Sequence, residues 1–214
     1  METELKIEFT SREDMDRLWT DPGFASFVIP ASEKLEQFET VYLDTEDSIL
    51  RRNGASLRVR AVEDNGFIHT VKSKVDEKSG LHQRYEWNRE TEDSEFSAEA
   101  FREQAISNGD PDTILSEILD SVEGEKLSEL FKTVFTRRSF LAGFGDSLME
   151  IAIDYGVLQA GNREETICEM EIELKEGDAR DVISLGDEIL ANTSAKLDSR
   201  SKYSRGVTLL AAAE

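Results

Sequence analysis

The 214-residue sequence predicts an α+β fold in which about eight antiparallel strands carry charged faces and helices pack against their apolar sides. Three observations lead there. Strand-like segments place ionisable side chains at every second position, as Glu2, Glu4, Lys6 and Glu8 do against Leu5, Ile7 and Phe9. The signs sort by segment: the first stretch and residues 167–175 are Glu-rich, while the middle stretches supply Arg58, Arg60, Lys72, Lys74, Arg84 and Arg137. Between residues 89 and 130 the alternation gives way to helical spacing.

The elements follow in order. After the strand over Glu2–Phe9, Ser11 with Asp14 marks a helix start that carries Met15, Leu18 and Trp19 on one side. Strands are expected over Glu39–Asp44 and Leu57–Arg60, then a tight turn at Asp64-Asn65-Gly66. The return strand covers Ile68–Lys74, and another follows Gly80 over His82–Asn88. Phe96, Phe101 and Ile106, then Ile114, Leu115, Ile118 and Leu119, are spaced for two helices separated by Asp110-Pro111. Residues 89–130 hold 13 acidic and 3 basic side chains, so they read as an acidic helical insertion with a solvated surface. Strand texture returns over Phe131–Leu141, Ser147–Asp154 and Ile167–Lys175. Asp178 then caps a helix containing Val182, Ile183, Leu185, Ile189 and Leu190, and a polar Ser199–Lys202 segment precedes a short helix ending at Leu209 and Leu210. The whole chain, 1–214, reads as a single domain.

Composition narrows the functional classes. A net charge of −21 disfavours a nucleic-acid partner, whose binding rests on Lys and Arg, and at first sight disfavours anionic ligands too. Eleven Phe, four Tyr and two Trp argue for a packed core rather than disorder. One cysteine, Cys168, excludes an intramolecular disulfide and a Cys-based zinc cluster, and is expected to be an inert packed thiol. His69 and His82 are expected to be ordinary strand or surface residues, and Trp87 and Phe140 to pack under helices. With no apolar run of about eighteen residues and no signal-peptide core, a cytoplasmic protein without a membrane partner is expected.

Spacing leaves two architectures open: an open sheet with a solvated charged face, or a closed barrel whose charged face lines a lumen. A lumen with both signs needs water, metal ions or an anionic ligand to be tolerable. Its Glu carboxylates would suit Mg²⁺ or Mn²⁺, and its Arg and Lys would suit phosphate oxygens. That is equipment for phosphoryl transfer, without the GxxxxGK[ST] loop of P-loop enzymes.

The blocks that carry a family resemblance are collinear along nearly the whole chain. They are Glu2-Thr3-Glu4-Leu5-Lys6, Tyr42–Thr45, Leu50–Gly54, Leu57–Arg60 and Thr70–Lys72. Gly80–Trp87, Phe135–Arg137, Glu150–Asp154, Ile167–Lys175 and Ser201-Lys202 with Arg205-Gly206 complete the series. The sequence resembles the CYTH domains, the triphosphate tunnel metalloenzymes, and is most similar to their bacterial inorganic triphosphatase branch. That branch is often fused to a helical CHAD domain; none follows here, so the resemblance implies a stand-alone member or a fragment.

The resemblance implies a closed eight-stranded antiparallel barrel, a tunnel with a charged lumen and helices outside, that binds a linear triphosphate with Mg²⁺ or Mn²⁺. By the same resemblance, Glu2, Glu4, Glu169 and Glu171 would hold metal. Glu150, Asp154 and Glu173 would support a second ion or orient water, and count with Lys6 as catalytic. Lys6, Arg58, Arg60, Lys72, Arg84, Arg137 and Lys202 would grip phosphate oxygens, with Arg137 rather than Arg138 pointing inward. The reaction expected is in-line attack of water on a terminal phosphorus, releasing phosphate and pyrophosphate. Hydrolysis of nucleoside or thiamine triphosphate, an adenylate cyclase of the same fold, and a non-catalytic polyphosphate-binding module are the alternatives; at most a weak homodimer is expected.

Overall fold

The structure is a computed structural model that describes residues 2–62, 66–78, 81–107, 113–198 and 200–212, without the side chains of Trp19, 74–78 and 81–84. Among the described residues nine strands form one antiparallel sheet: β1 (Glu2–Glu8), β2 (Lys34–Thr45), β3 (Ala55–Ala61), β4 (Phe67–Lys78), β5 (Leu81–Thr91), β6 (Leu127–Phe144), β7 (Ser147–Ala160), β8 (Arg163–Glu176) and β9 (Lys196–Leu197). Their order is β5-β4-β3-β2-β6-β7-β8-β1-β9. On one edge β1 pairs with β8, from Glu4↔Glu173 to Glu8↔Glu169. Its other edge is shared, pairing with β5 through Glu2↔Arg84 to Leu5↔Leu81 and with β9 through Ile7↔Leu197 and Glu8↔Lys196.

Seven helices accompany the sheet among the described residues: α1 (Arg12–Arg17), α2 (Pro22–Phe27), α3 (Ile49–Arg52), α4 (Ala98–Ser107), α5 (Thr113–Ser121), α6 (Ala179–Ala191) and α7 (Lys202–Ala211). Caps start several of them as the sequence suggests. Ser11 Oγ accepts from the Asp14 amide, and the Asp178 carboxylate accepts from the Arg180 amide.

Strand parity divides the packing. Leu5 and Ile7 of β1, Ile151 and Ile153 of β7 and Met170 and Ile172 of β8 are buried beneath α1, α2 and α6, together with Cys168 and Phe140. Leu57, Val71 and Trp87 of β3–β5 are buried with Phe101 of α4 and Leu115, Ile118 and Leu119 of α5. The acidic insertion therefore rests on an apolar underside while its charges face water. The opposite parity carries the charged positions, and there α7 docks: Tyr203, Val207, Leu209 and Leu210 pack on Tyr42, Phe131, Phe135 and Ile167. Gly206 permits that approach, since a Cβ there would lie 2.3 Å from the Phe131 ring.

The structure departs from the sequence expectations in several ways. The sheet has nine strands rather than eight, the ninth being the two-residue β9. β2 begins at Lys34, because pairing with β6 continues to Lys34↔Ser139 although residues 34–37 are exposed and lack an apolar face. The helical insertion is narrower, lying between the end of β5 at Thr91 and the start of β6 at Leu127. Lys202 begins α7 instead of preceding it. His69 lies in β4 but is fully buried, 5.8 Å from the Phe96 ring. Residues 64–65 and 110–111 of the expected turns, and the His82 and Lys74 side chains, lie outside what is described.

Candidate functional site

Cross-strand register places the charged residues in tiers. On β1, β8 and β7, Glu4 faces Glu173 and Glu173 faces Glu150, which sets three carboxylates side by side. One tier along, Lys6 faces Glu171. Next, Asp154 faces both Glu169 of β8 and Arg137 of β6. On the opposite wall Arg58 and Arg60 come from β3, opposite Tyr42 and Thr40 of β2, and Lys72 of β4 faces Glu86 of β5.

These walls line a cavity of about 530 Å³. Of the residues singled out from sequence, Glu2, Glu4, Lys6, Arg58, Arg60, Lys72, Arg137, Glu150, Glu171, Glu173 and Lys202 line it. Asp154 and Glu169 are not in its lining and are fully buried. Arg84 is placed only by its backbone, opposite Glu2 and Lys74.

The deepest tier is an ion cluster. Asp154, Glu169 and Glu171 bring carboxylate oxygens within 4.8 Å of one another. Three such charges in a buried site would be prohibitive alone, and four cations meet them. Arg137 donates to Asp154 through Nε (2.7 Å) and Nη2 (2.6 Å), and to Glu171 at 2.5 Å. Lys202 Nζ reaches Asp154 at 2.6 Å, Glu169 at 2.5 Å and Glu171 at 3.1 Å. Lys6 lies 2.9 Å from Glu171 and 3.4 Å from Glu169, while Arg205 donates to Glu169 at 2.6 Å. Burial alone would raise the Glu171 carboxyl, but Lys202, Lys6 and Arg137 hold it well below the usual carboxylate range. Burial likewise opposes the charge on Lys6, and Glu169, Glu171 and Glu4 overcome it and raise its pKa.

The four residues assigned to metal by resemblance therefore divide. Glu2 and Glu4 line the cavity, and Glu171 lines it while bound to three cations. Glu169 has one oxygen on Lys202 and Lys6 and the other on Arg205. Glu150 and Glu173 line the cavity beside Glu4, with Lys175 at 3.9 and 2.8 Å from them. Burial, with the Glu4 and Glu86 charges, lifts the Glu2 carboxyl to about 7 against the pull of Lys72. The donors on this wall are hard carboxylate oxygens, of the type that suits Mg²⁺ or Mn²⁺.

The facing wall is rich in cations: Arg58, Arg60 and Lys72. Arg60 has no carboxylate within 4.0 Å among the described residues; its Nε donates to Thr40 Oγ1 at 3.1 Å. Burial, with Arg58 and Arg137 alongside, pushes its pKa down to about 9. Arg58 Nη2 is 3.9 Å from Glu86, and its buried Nε has no hydrogen-bond partner among the described residues. One cavity thus sets a cation-rich wall against a carboxylate-rich one, an arrangement able to hold a polyanion together with divalent cations.

Sequence reasoning missed several residues here. Glu86 accepts from Asn88, binds Lys72, and is held at about 2 by Lys72 and Arg58 against the effect of burial. Its signal was present, since it lies two positions beyond Arg84 on the same strand face. Arg205 stands one turn after Lys202, and its partners Glu165, Thr166 and Glu169 are remote in sequence. Tyr42, Arg51 and Tyr203 also line the cavity.

Comparison with known proteins matches a model of the CYTH domain to residues 1–207. The chain is 29% identical over 185 residues to a protein of Haemophilus influenzae named inorganic triphosphatase, covering 86% of this chain and 49% of that protein. It therefore spans about half the length of the curated relative it matches. A solved structure of a putative adenylyl cyclase from Hippeastrum, described as having a dominant triphosphatase activity, superimposes with a TM-score of 0.64 at 16% identity, over 100% of this chain and 97% of that one. A protein of Pyrococcus horikoshii OT3 superimposes with a TM-score of 0.56 at 18% identity, over 97% and 99% of the two chains.

Proposed function

The chain belongs to the CYTH domain family, and from that premise we propose that it hydrolyses inorganic triphosphate to pyrophosphate and phosphate with Mg²⁺ or Mn²⁺. The β1–β8 and β1–β5 pairings are read as closing the eight long strands into a tunnel around the cavity. The observation that carries the proposal is the half-buried guanidinium group of Arg60, which feels the charges of Arg58 and Arg137 and has no carboxylate within 4.0 Å among the described residues. Such a cluster of like charges is relieved by an anion that several cations grip at once.

In this reading Arg58, Arg60, Arg137 and Lys72 hold phosphate oxygens, with Lys6, Arg84 and Lys202 completing the set. Glu2, Glu4, Glu150 and Glu173 would hold the divalent cation, with Glu171 adjoining them; Glu169 serves Lys6, Lys202 and Arg205 instead. A bound divalent cation supplies Lewis-acid polarisation and neutralises phosphate charge. Asp154 is taken by Arg137 and Lys202, which leaves Glu150 and Glu173 as the carboxylates able to receive a proton from the attacking water. Water adds to the terminal phosphorus, the bridging P–O bond breaks, and pyrophosphate leaves. Fixing the chain of phosphates in one register lowers the entropic part of the barrier.

A nucleoside substrate would want an open aromatic face for its base. Tyr42 and Tyr203 line the cavity, but Tyr42 stacks on Phe131 at 4.6 Å and Tyr203 leans on both. That self-packed trio favours inorganic triphosphate over nucleoside or thiamine triphosphates. The test is a substrate panel with Mg²⁺ and Mn²⁺ titration and separate detection of phosphate and pyrophosphate. Metal-dependent phosphate release from triphosphate that Glu4→Ala removes is expected. Tight binding of polyphosphate without any product would turn the reading into that of a binding module.

A further inference from the structure

Phe135 of β6 and Phe38 of β2 stand directly opposite each other across the strand pair, their rings 5.6 Å apart and edge-on. Phe135 is buried, and three cations of the cavity wall gather on it. The Lys202 ammonium is 5.0 Å from its ring centroid, and the Arg60 and Arg137 guanidinium carbons are each at 5.8 Å. The Arg60 guanidinium also lies 4.1 Å over the Phe38 ring. All four distances fall within the range in which an aromatic quadrupole attracts a cation.

A carboxylate would hold these cations equally well but would cancel their charge towards a ligand. An aromatic face attracts a cation while carrying no net charge of its own. The contrast is visible within one site. Arg137 and Lys202 are bound by carboxylates as well as by Phe135, whereas Arg60 is held by two rings and the neutral hydroxyl of Thr40. We infer that Phe38 and Phe135 are positioning residues that fix Arg60, and with it the edge of the Arg137–Lys202 cluster, while leaving its charge available to a phosphate group. The inference rests on the triphosphatase reading for its ligand and on geometry alone for the platform.

The test compares Phe135→Leu and Phe38→Leu with Phe135→Tyr and Phe38→Tyr in the full chain. Arg60 grips a phosphate in ground state and transition state alike, so its misplacement raises KM and spares kcat. The Leu variants should raise KM for inorganic triphosphate by roughly 2- to 30-fold, the span of one cation–π contact, with kcat unchanged. The Tyr variants should restore wild-type KM. A second readout needs no substrate: the Arg60 Nε–H signal in NMR should exchange with water faster in the Leu variants and as in wild type in the Tyr variants. Because Phe38 is only half-buried, Phe38→Leu keeps the test usable should Phe135→Leu fail to fold. Leu variants that lose thermal stability yet keep KM and Arg60 exchange unchanged would overturn the platform. Wild-type protein that neither binds nor cleaves triphosphate, with Arg60 still mobilised in the Leu variants, would overturn the triphosphatase reading and leave the platform standing.

Discussion

Arg205 and Glu169 form an ion pair of 2.6 Å in which each side chain is 1% exposed, and this pair ties α7 to β8. The same guanidinium donates to Glu165 at 2.6 Å and to the Thr166 carbonyl oxygen at 2.6 Å. The helix that closes over the cavity floor is thus fixed by charge as well as by apolar contact.

Breaking that pair on one side leaves a buried charge unanswered, which costs about 3–5 kcal/mol. Arg205→Met should therefore lower the urea midpoint steeply, and Arg205→Met with Glu169→Gln should regain part of the loss. A single-variant change below about 1 kcal/mol would show that α7 is held by its apolar face alone.

Arg60 sets a pH dependence. Its pKa is lowered to about 9 in the folded chain, so above that pH the unfolded chain binds more protons and folding stability gains as pH rises. Affinity for triphosphate runs the other way. An anion beside Arg60 favours its charged form, so Kd should weaken towards tenfold per pH unit above about 9. Calorimetric titration at pH 8, 9 and 10 checks this, and Arg60→Met should remove most of the slope.

Arg137 and Arg138 are neighbours with opposite fates. Arg137 enters the buried cluster, while Arg138 pairs with exposed Glu33. Arg137→Met should abolish triphosphate binding and destabilise the fold by several kcal/mol, whereas Arg138→Met should stay within about 0.5 kcal/mol of wild type. Equal effects on binding would contradict the assignment of the inward face.

Two glycines mark close approaches that side chains would obstruct. A Cβ on Gly156 would lie 2.1 Å from the Val134 carbonyl oxygen, and one on Gly206 would lie 2.3 Å from Phe131. Gly206→Ala should cost about 1–3 kcal/mol by overpacking. Gly156→Ala should cost more, because the obstructing atom is backbone; denaturant midpoints of both variants measure the order.

The parts legible in the sequence were those where a strand period repeats a charge. Glu2, Glu4 and Lys6, or Glu169, Glu171 and Glu173, announce a face without any knowledge of the partner strands. Which carboxylate faces a ligand and which faces a cation was not legible. Glu169 and Glu173 are four residues apart on one strand face, yet the first is enclosed by Lys6, Lys202 and Arg205 while the second borders the cavity. That difference is made by α7, whose docking joins residues more than thirty positions apart. The start of β2 was hidden for another reason: residues 34–37 are exposed along their whole length, so no apolar alternation marks them.

The shared edge of β1 has a kinetic consequence. Residues 4–8 pair with 169–173, more than 160 positions along the chain, whereas β3, β4 and β5 are successive hairpin partners. The hairpins can form from neighbouring residues, but β1 must wait for β8, far along the chain. Refolding should accordingly be slow, in the milliseconds-to-seconds range of non-local β-topologies, with the acidic insertion and its three strands protected from hydrogen exchange before β1 is.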